Sequence, residues 1–96
     1  MANIRRLVLD VLKPHEPSIT RFAQEISEME EAEGVNATML EIDEEVQNIK
    51  ITVQGENLRE EKIKELVEDL GGSIHSFDEI VCGEDIVEEV ETPQDK

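Results

Sequence analysis

Tryptophan and tyrosine are absent from this chain of 96 residues, and Phe22 and Phe77 are its only aromatic side chains. A core must therefore be built from Ile, Val, Leu and Met, and the stacking platforms of single-strand nucleic-acid binders are missing. Basic residues are also scarce: nine Lys and Arg stand against 25 Asp and Glu, a formal charge of −16. Phosphate backbones and anionic membrane surfaces repel such a chain, which excludes nucleic acid and membrane as expected partners. The same charge favours cations, and it suits a salty or hot habitat. A single cysteine, Cys82, rules out an intramolecular disulfide and a Cys-based zinc site. It is flanked by Glu79, Glu84 and Asp85, which disfavour a thiolate, so it is expected as a small buried residue. No apolar run approaches the ~20 residues that span a bilayer. At the N-terminus, Asp10 interrupts Leu7-Val8-Leu9 too early for a signal peptide, so a cytoplasmic location is expected.

What is present suits one small domain. Hydrophobic residues make up 38% of the chain, enough for a single core with a stability of a few to ~10 kcal/mol. Ile4 to Lys13 is apolar and β-branched up to Pro14 and reads as the first strand. Its apolar residues fall on both parities, Leu7, Leu9 and Val11 against Val8 and Leu12, so burial on both faces is expected. Ser18 caps a helix expected to run to about Glu33, with Ile19, Phe22, Ala23, Ile26 and Met29 as its stripe and Gly34 as its left-handed end. Val35 to Asp43 is the second strand and Glu44 to Asn48 a hairpin connection. Ile49, Ile51 and Val53 alternate with Lys50, Thr52 and Gln54 in the third strand, which Gly55 ends. Asn57 and Glu60 match a capping box for a second helix striped by Ile63, Leu66, Val67 and Leu70 and closed by Gly71-Gly72. Ser73 to Cys82 is the fourth strand. An acidic tail with Ile86, Val87 and Val90 follows, and Thr92 to Lys96 is expected to fray.

The order βαββαβ with short connections predicts an α+β, ferredoxin-like sandwich. Its four-stranded antiparallel sheet has order 4-1-3-2, with two helices on one face. Residues 1–83 form the domain and residues 84–96 the tail, a candidate intersubunit segment. A bare sheet face fed with apolar residues by the first strand needs a cover, and a second copy of the chain is the simplest one.

Three groups carry candidate chemistry. His15 and Glu16, just past the first strand, should lie near His75 at the start of the fourth, beside a helix N-terminus, as a ligand-binding set. Asp43, Glu45 and Asn48 cluster oxygen donors in the hairpin, as a hard cation such as calcium requires, though without EF-hand spacing. Asp10, in mid-strand, needs a partner, and Lys50 on the neighbouring strand is the expected one. No dinucleotide, phosphate-loop, zinc-protease or nucleophile-elbow pattern occurs.

The stretch Leu9-Asp10-Val11-Leu12-Lys13-Pro14-His15-Glu16-Pro17, with Gly34-Val35-Asn36, Glu41-Ile42-Asp43, Gly71-Gly72-Ser73-Ile74-His75-Ser76 and Thr92-Pro93-Gln94-Asp95, resembles a family of short archaeal proteins. That family is catalogued as domain of unknown function 211. The likeness covers almost the whole chain, with Phe77 and Cys82 as local departures. It implies a ferredoxin-like fold, an archaeal cytoplasmic source and a homo-oligomer, a ring being one form. It brings no activity and no catalytic residues. The expected function is thus a non-enzymatic oligomeric module that binds a small ligand or divalent cation. The alternative is a structural or partner-binding assembly whose acidic surface meets a basic protein.

Overall fold

The computed structural model describes residues 2–90, and the elements run β1 (Ile4–Pro14), α1 (Ile19–Ser27), β2 (Ala32–Ile42), β3 (Val46–Leu58), α2 (Glu60–Asp69) and β4 (Ser73–Cys82). The sheet order is β2-β3-β1-β4, the expected arrangement read from its other edge, and every pairing is antiparallel. Leu7, Leu9 and Val11 of β1 and Ile49, Ile51 and Val53 of β3 pack with Phe22 and Ile26 of α1 and Ile63 and Val67 of α2 in one core. Both helices therefore cover the same face of the sheet. Each of these side chains is withdrawn from water at a gain of about 1.5–3 kcal/mol, and this one-sided layer holds the fold. The result is a flat slab, 41 × 38 × 17 Å, with a radius of gyration of 14.2 Å. A rounder chain of this length would have about 12.5 Å.

The first helix is shorter than its periodicity suggests. Ser18 caps it, its hydroxyl accepting from the Arg21 N–H at 3.2 Å. It ends at Ser27, with Glu28 as C-cap. Continuing to Glu33 would have placed Glu28, Glu30, Glu31 and Glu33 at the negative end of the helix dipole. Gly34 lies instead within β2; the glycines with positive φ among the described residues are Gly71 and Gly83. Gly71 does end α2, as expected.

Other boundaries shift as well, and β2 begins at Ala32 rather than Val35. Residues Val46 to Asn48 belong to β3, so the β2–β3 turn is only Asp43-Glu44-Glu45, closed by an Asp43 N–H bond to the Val46 carbonyl at 2.8 Å. Gly55 does not end β3. It sits inside the strand because the Glu31 carbonyl passes so close that a Cβ there would lie 2.2 Å from it. The Asn57–Glu60 capping box does not form either. Leu58 stays in the strand opposite Ile4 and is buried, so Arg59 becomes the N-cap without a side-chain cap bond. Glu60 and Glu61 in the first turn suit the positive end of the helix instead.

Edge strand β4 is irregular. The steps from Asp10↔Ser76 to Val11↔Ile74 and from Val8↔Glu79 to Leu9↔Phe77 leave His75 and Asp78 as inserted residues. Such bulges twist an edge away from foreign strands. Cys82 closes this strand and is exposed, not buried as expected, because the last position of an edge strand has no layer over it. The segment Thr92–Lys96, expected to fray, lies outside the described residues.

The two strand glycines give opposite expectations. Gly55→Ala forces a clash with backbone and should cost about 1–3 kcal/mol in urea unfolding. Gly34→Ala meets nothing within 4 Å and should be neutral or stabilising by about 0.5–1 kcal/mol. Equal effects at the two positions would refute the close approach at Glu31.

Candidate functional site

Along β1 the inward row Leu7, Leu9, Val11 continues to Lys13, whose side chain is buried with only 1% exposed. Its ammonium donates to the Pro14 carbonyl at 2.7 Å and to Gln47 Oε1 at 2.8 Å, with the His15 carbonyl at 3.5 Å. It also stands 5.5 Å from the centre of the Phe22 ring, within cation–π range. Burial pushes its pKa below the ordinary lysine value, and the charge of Glu16 opposes that shift. The Gln47 amide then approaches His15 Nδ1 at 3.4 Å, and His15 Nε2 lies 2.9 Å from the Asp43 carbonyl. With the Nε2 proton on His15, every donor in this chain meets an acceptor: Lys13 to Gln47, Gln47 to His15, His15 to Asp43. These bonds clasp the end of β1 to the β2–β3 turn.

The candidate groups are thereby rearranged. His15 turns toward Asp43 of the hairpin, joining one member of each set through a backbone carbonyl. Glu16 is exposed beside it. His75 is exposed at its bulge on β4; the Leu12↔Ser73 pairing does bring the start of β4 beside the end of β1, as expected. In the turn, Asp43 Oδ1 accepts from the Glu44 N–H at 2.7 Å and Glu45 points to solvent. Asn48 faces the sheet, where its amide donates to Asp10 Oδ1 and to the Val11 carbonyl. Lys50 sits opposite Asp10 in register, but Asp10 is bonded by Asn48 rather than by Lys50. A short amide on the adjacent pair reaches the carboxylate directly, whereas a lysine head is drawn to water. Among the described residues no three His, Cys, Asp or Glu side chains are grouped as metal ligands.

The face away from the helices carries Arg6, Val8, Asp10 and Leu12 of β1, with Val46, Asn48, Lys50, Thr52 and Gln54 of β3 beside them. Arg6 organises one end of it. Its guanidinium donates to Gln54 Oε1 at 2.9 Å, to Glu79 at 3.4 Å, and through two nitrogens to both oxygens of Glu88 at 2.9 Å. The Glu88 hydrogen bonds raise the Arg6 pKa above its ordinary value and hold the Glu88 carboxyl below its own. Residues after Gly83 therefore return over the sheet as a strap. Val81, opposite Arg6, is buried yet stands apart from the helix-side core. Arg5 anchors the base of the strap by donating to the carbonyls of Gly55, Gly83 and Glu84. The hollow around Ala2, Asn3, Arg5, Glu56, Gly83 and Glu84 thus holds a guanidinium already committed to backbone. At the other end of the face Leu12 and Val46 are 36% and 38% exposed, and Leu40, inserted at a bulge of β2 between Met39 and Glu41, is 50% exposed. Neither Lys13 nor Arg6 stood out in the sequence. The signal was there in the parity of β1, a cation on the inward row and another on the outward one.

Fold and surface together define a small ferredoxin-like domain with one helix-covered face and one face only partly covered. A family model described as uncharacterized ArCR, DUF211, matches residues 5–96. An uncharacterized protein of Methanocaldococcus jannaschii, MJ0319, is 53% identical over 96 residues, covering 100% of this chain and 99% of its own length. The chain belongs to this DUF211 family. No helix among the described residues is long and apolar enough to cross a membrane.

Gln47→Leu removes the side-chain acceptor of a buried ammonium and should destabilise the chain by about 1–3 kcal/mol, read from urea unfolding; a loss under about 0.5 kcal/mol, the range of neutral surface changes, would show that the clasp carries no load. A second expectation concerns pH. Lys13 binds its proton less tightly folded than unfolded, so folding gains stability as pH rises toward the ordinary lysine value of 10.5 and loses it as pH falls to the lowered folded value. The difference in stability between wild type and Lys13→Met should change with pH in that window, and parallel curves would refute the burial of a charged amine.

Proposed function

We propose that this chain is a non-enzymatic module that works as a homo-oligomer, a second copy covering the open sheet face. The observation carrying this reading is the exposure of Leu12 and Val46 on that face, with Leu40 exposed at a bulge of the neighbouring β2. Apolar side chains left on an uncovered sheet face mark an interaction site. The chain carries −16 overall; Arg6 and Lys50 of the open face stand against Asp10, Glu41 and Glu79, and the strap adds Glu84, Asp85, Glu88 and Glu89, so acids of two copies come close at this contact. A basic protein is the alternative partner, for the acids Glu25, Glu28, Glu61, Glu65 and Glu68 of the helix-covered side. The acid excess also suits a divalent cation such as calcium, held by Asp43 or Glu45 together with acids of an adjoining copy.

Native mass spectrometry at micromolar concentration is expected to give a species larger than the monomer. Leu12→Asp, at an exposed position that leaves the core intact, should return it to monomer. A wild-type monomer would overturn the reading. Calcium at micromolar to millimolar concentration should raise the Tm if the cation part is right; no shift with calcium, magnesium or zinc would remove that part alone.

A further inference from the structure

We infer that the strap, Gly83 to Val90, is a latched lid: it opens and closes over the Arg6 end of the open face while the sheet beneath stays folded, and Glu88 is its catch. The device lies within one chain and stands whether or not copies associate.

The lid has a fixed base and a single far anchor. Gly83, at φ 112°, turns the chain off β4 in a conformation that side-chain-bearing residues rarely adopt. Its N–H donates to the Asn3 carbonyl at 2.9 Å, and Arg5 holds the carbonyls of Gly83 and Glu84. Past Glu84 the attachment changes. Among the described residues no backbone hydrogen bond ties Asp85 to Val90 to the sheet, and the polar contact that holds them is Glu88 on the Arg6 guanidinium. Ile86 is half-buried, whereas Val87 and Val90 face water and hold nothing down.

What lies underneath suits a cover that comes off. Val81 pairs with Arg6 on the face away from the helices, yet it is buried and lies outside the helix-side core. Its shelter therefore comes from the open-face side, where Arg6 and the strap lie. Arg6 keeps partners when the lid opens, because Gln54 Oε1 at 2.9 Å and Glu79 at 3.4 Å both belong to the sheet. Opening thus strands no charge. Glu88 exchanges a guanidinium for water readily, its side chain being already 69% exposed. Charge also works against closure. The strap carries Glu84, Asp85 and Glu89 besides Glu88, and β4 sets Glu79 beside the same Arg6. Acid repels acid here, and the two parallel bonds from Arg6 to the Glu88 carboxylate are what oppose that repulsion. An exposed ion pair contributes little, so open and closed lids differ by a small free energy, the regime in which a segment opens well before the domain unfolds. The open state bares Arg6, Val8 and Val81 together, a cation beside two valines.

Relaxation-dispersion NMR on the full-length, 15N-labelled chain tests the latch, since it reads exchange on the μs–ms scale of lid opening. Amides of Ile86 to Glu89 and of Val81 should share one exchange process that Leu9 and Ile51 in the core do not show. Glu88→Gln should raise the open population about threefold or more. Glu89→Gln removes the same charge one position along without touching the catch, and should not raise it. A second readout is chemical: Val81→Cys in a Cys82→Ser chain should react with a thiol reagent faster once Glu88→Gln is added, with circular dichroism unchanged. Strap amides that exchange only with the core, or not at all, would sink the latch. So would a Glu88→Gln chain that behaves as Glu89→Gln does.

Discussion

The packing of Leu7, Leu9, Val11, Ile49, Ile51 and Val53 against Phe22, Ile26, Ile63 and Val67 is what the remainder of the molecule depends on. It places both helices on one side of the sheet, and among the described residues no further helix or strand covers the other. Each special feature answers to that imbalance. The strap returns over one end of the bare face, polar amides and hydroxyls occupy its middle, and an apolar patch stays open at the far end.

Two cations on β1 sit on opposite sides of this division and serve different ends. Lys13 points inward, where the core is closing, and its charge is tolerated because carbonyl and amide oxygens and a phenyl ring surround it. Arg6 points outward, keeps its charge at little cost, and gathers carboxylates from β4 and the strap. A planar guanidinium suits the second role, because it can hold both oxygens of Glu88 at once. In a chain with so few basic residues, both are spent on joining elements rather than on an outside ligand.

The candidate ligand set and the candidate metal set looked like separate places on the chain and proved to be adjacent through His15 and Asp43. Sequence order could place the ends of strands, since hydrogen-bonded register follows from topology. It could not say which way an exposed imidazole just past Pro14 would turn. That choice belongs to Gln47, which bridges Lys13 and His15 only because β3 begins three residues earlier than its alternation suggested.

Element order, strand parity, sheet order and the excess of acid were legible in the sequence because each rests on local periodicity or on composition. Helix ends and partners were decided by tertiary structure. The run after Ser27 is helical by stripe but left the helix for an edge of the sheet, and Asn57 lost its capping role because burial of Leu58 outweighs a surface hydrogen bond. Asn48 displaced Lys50 as the partner of Asp10, and the strap found Arg6 across 82 positions of chain. Contacts between residues so far apart depend on where a fold brings them, and no spacing along the chain encodes that distance.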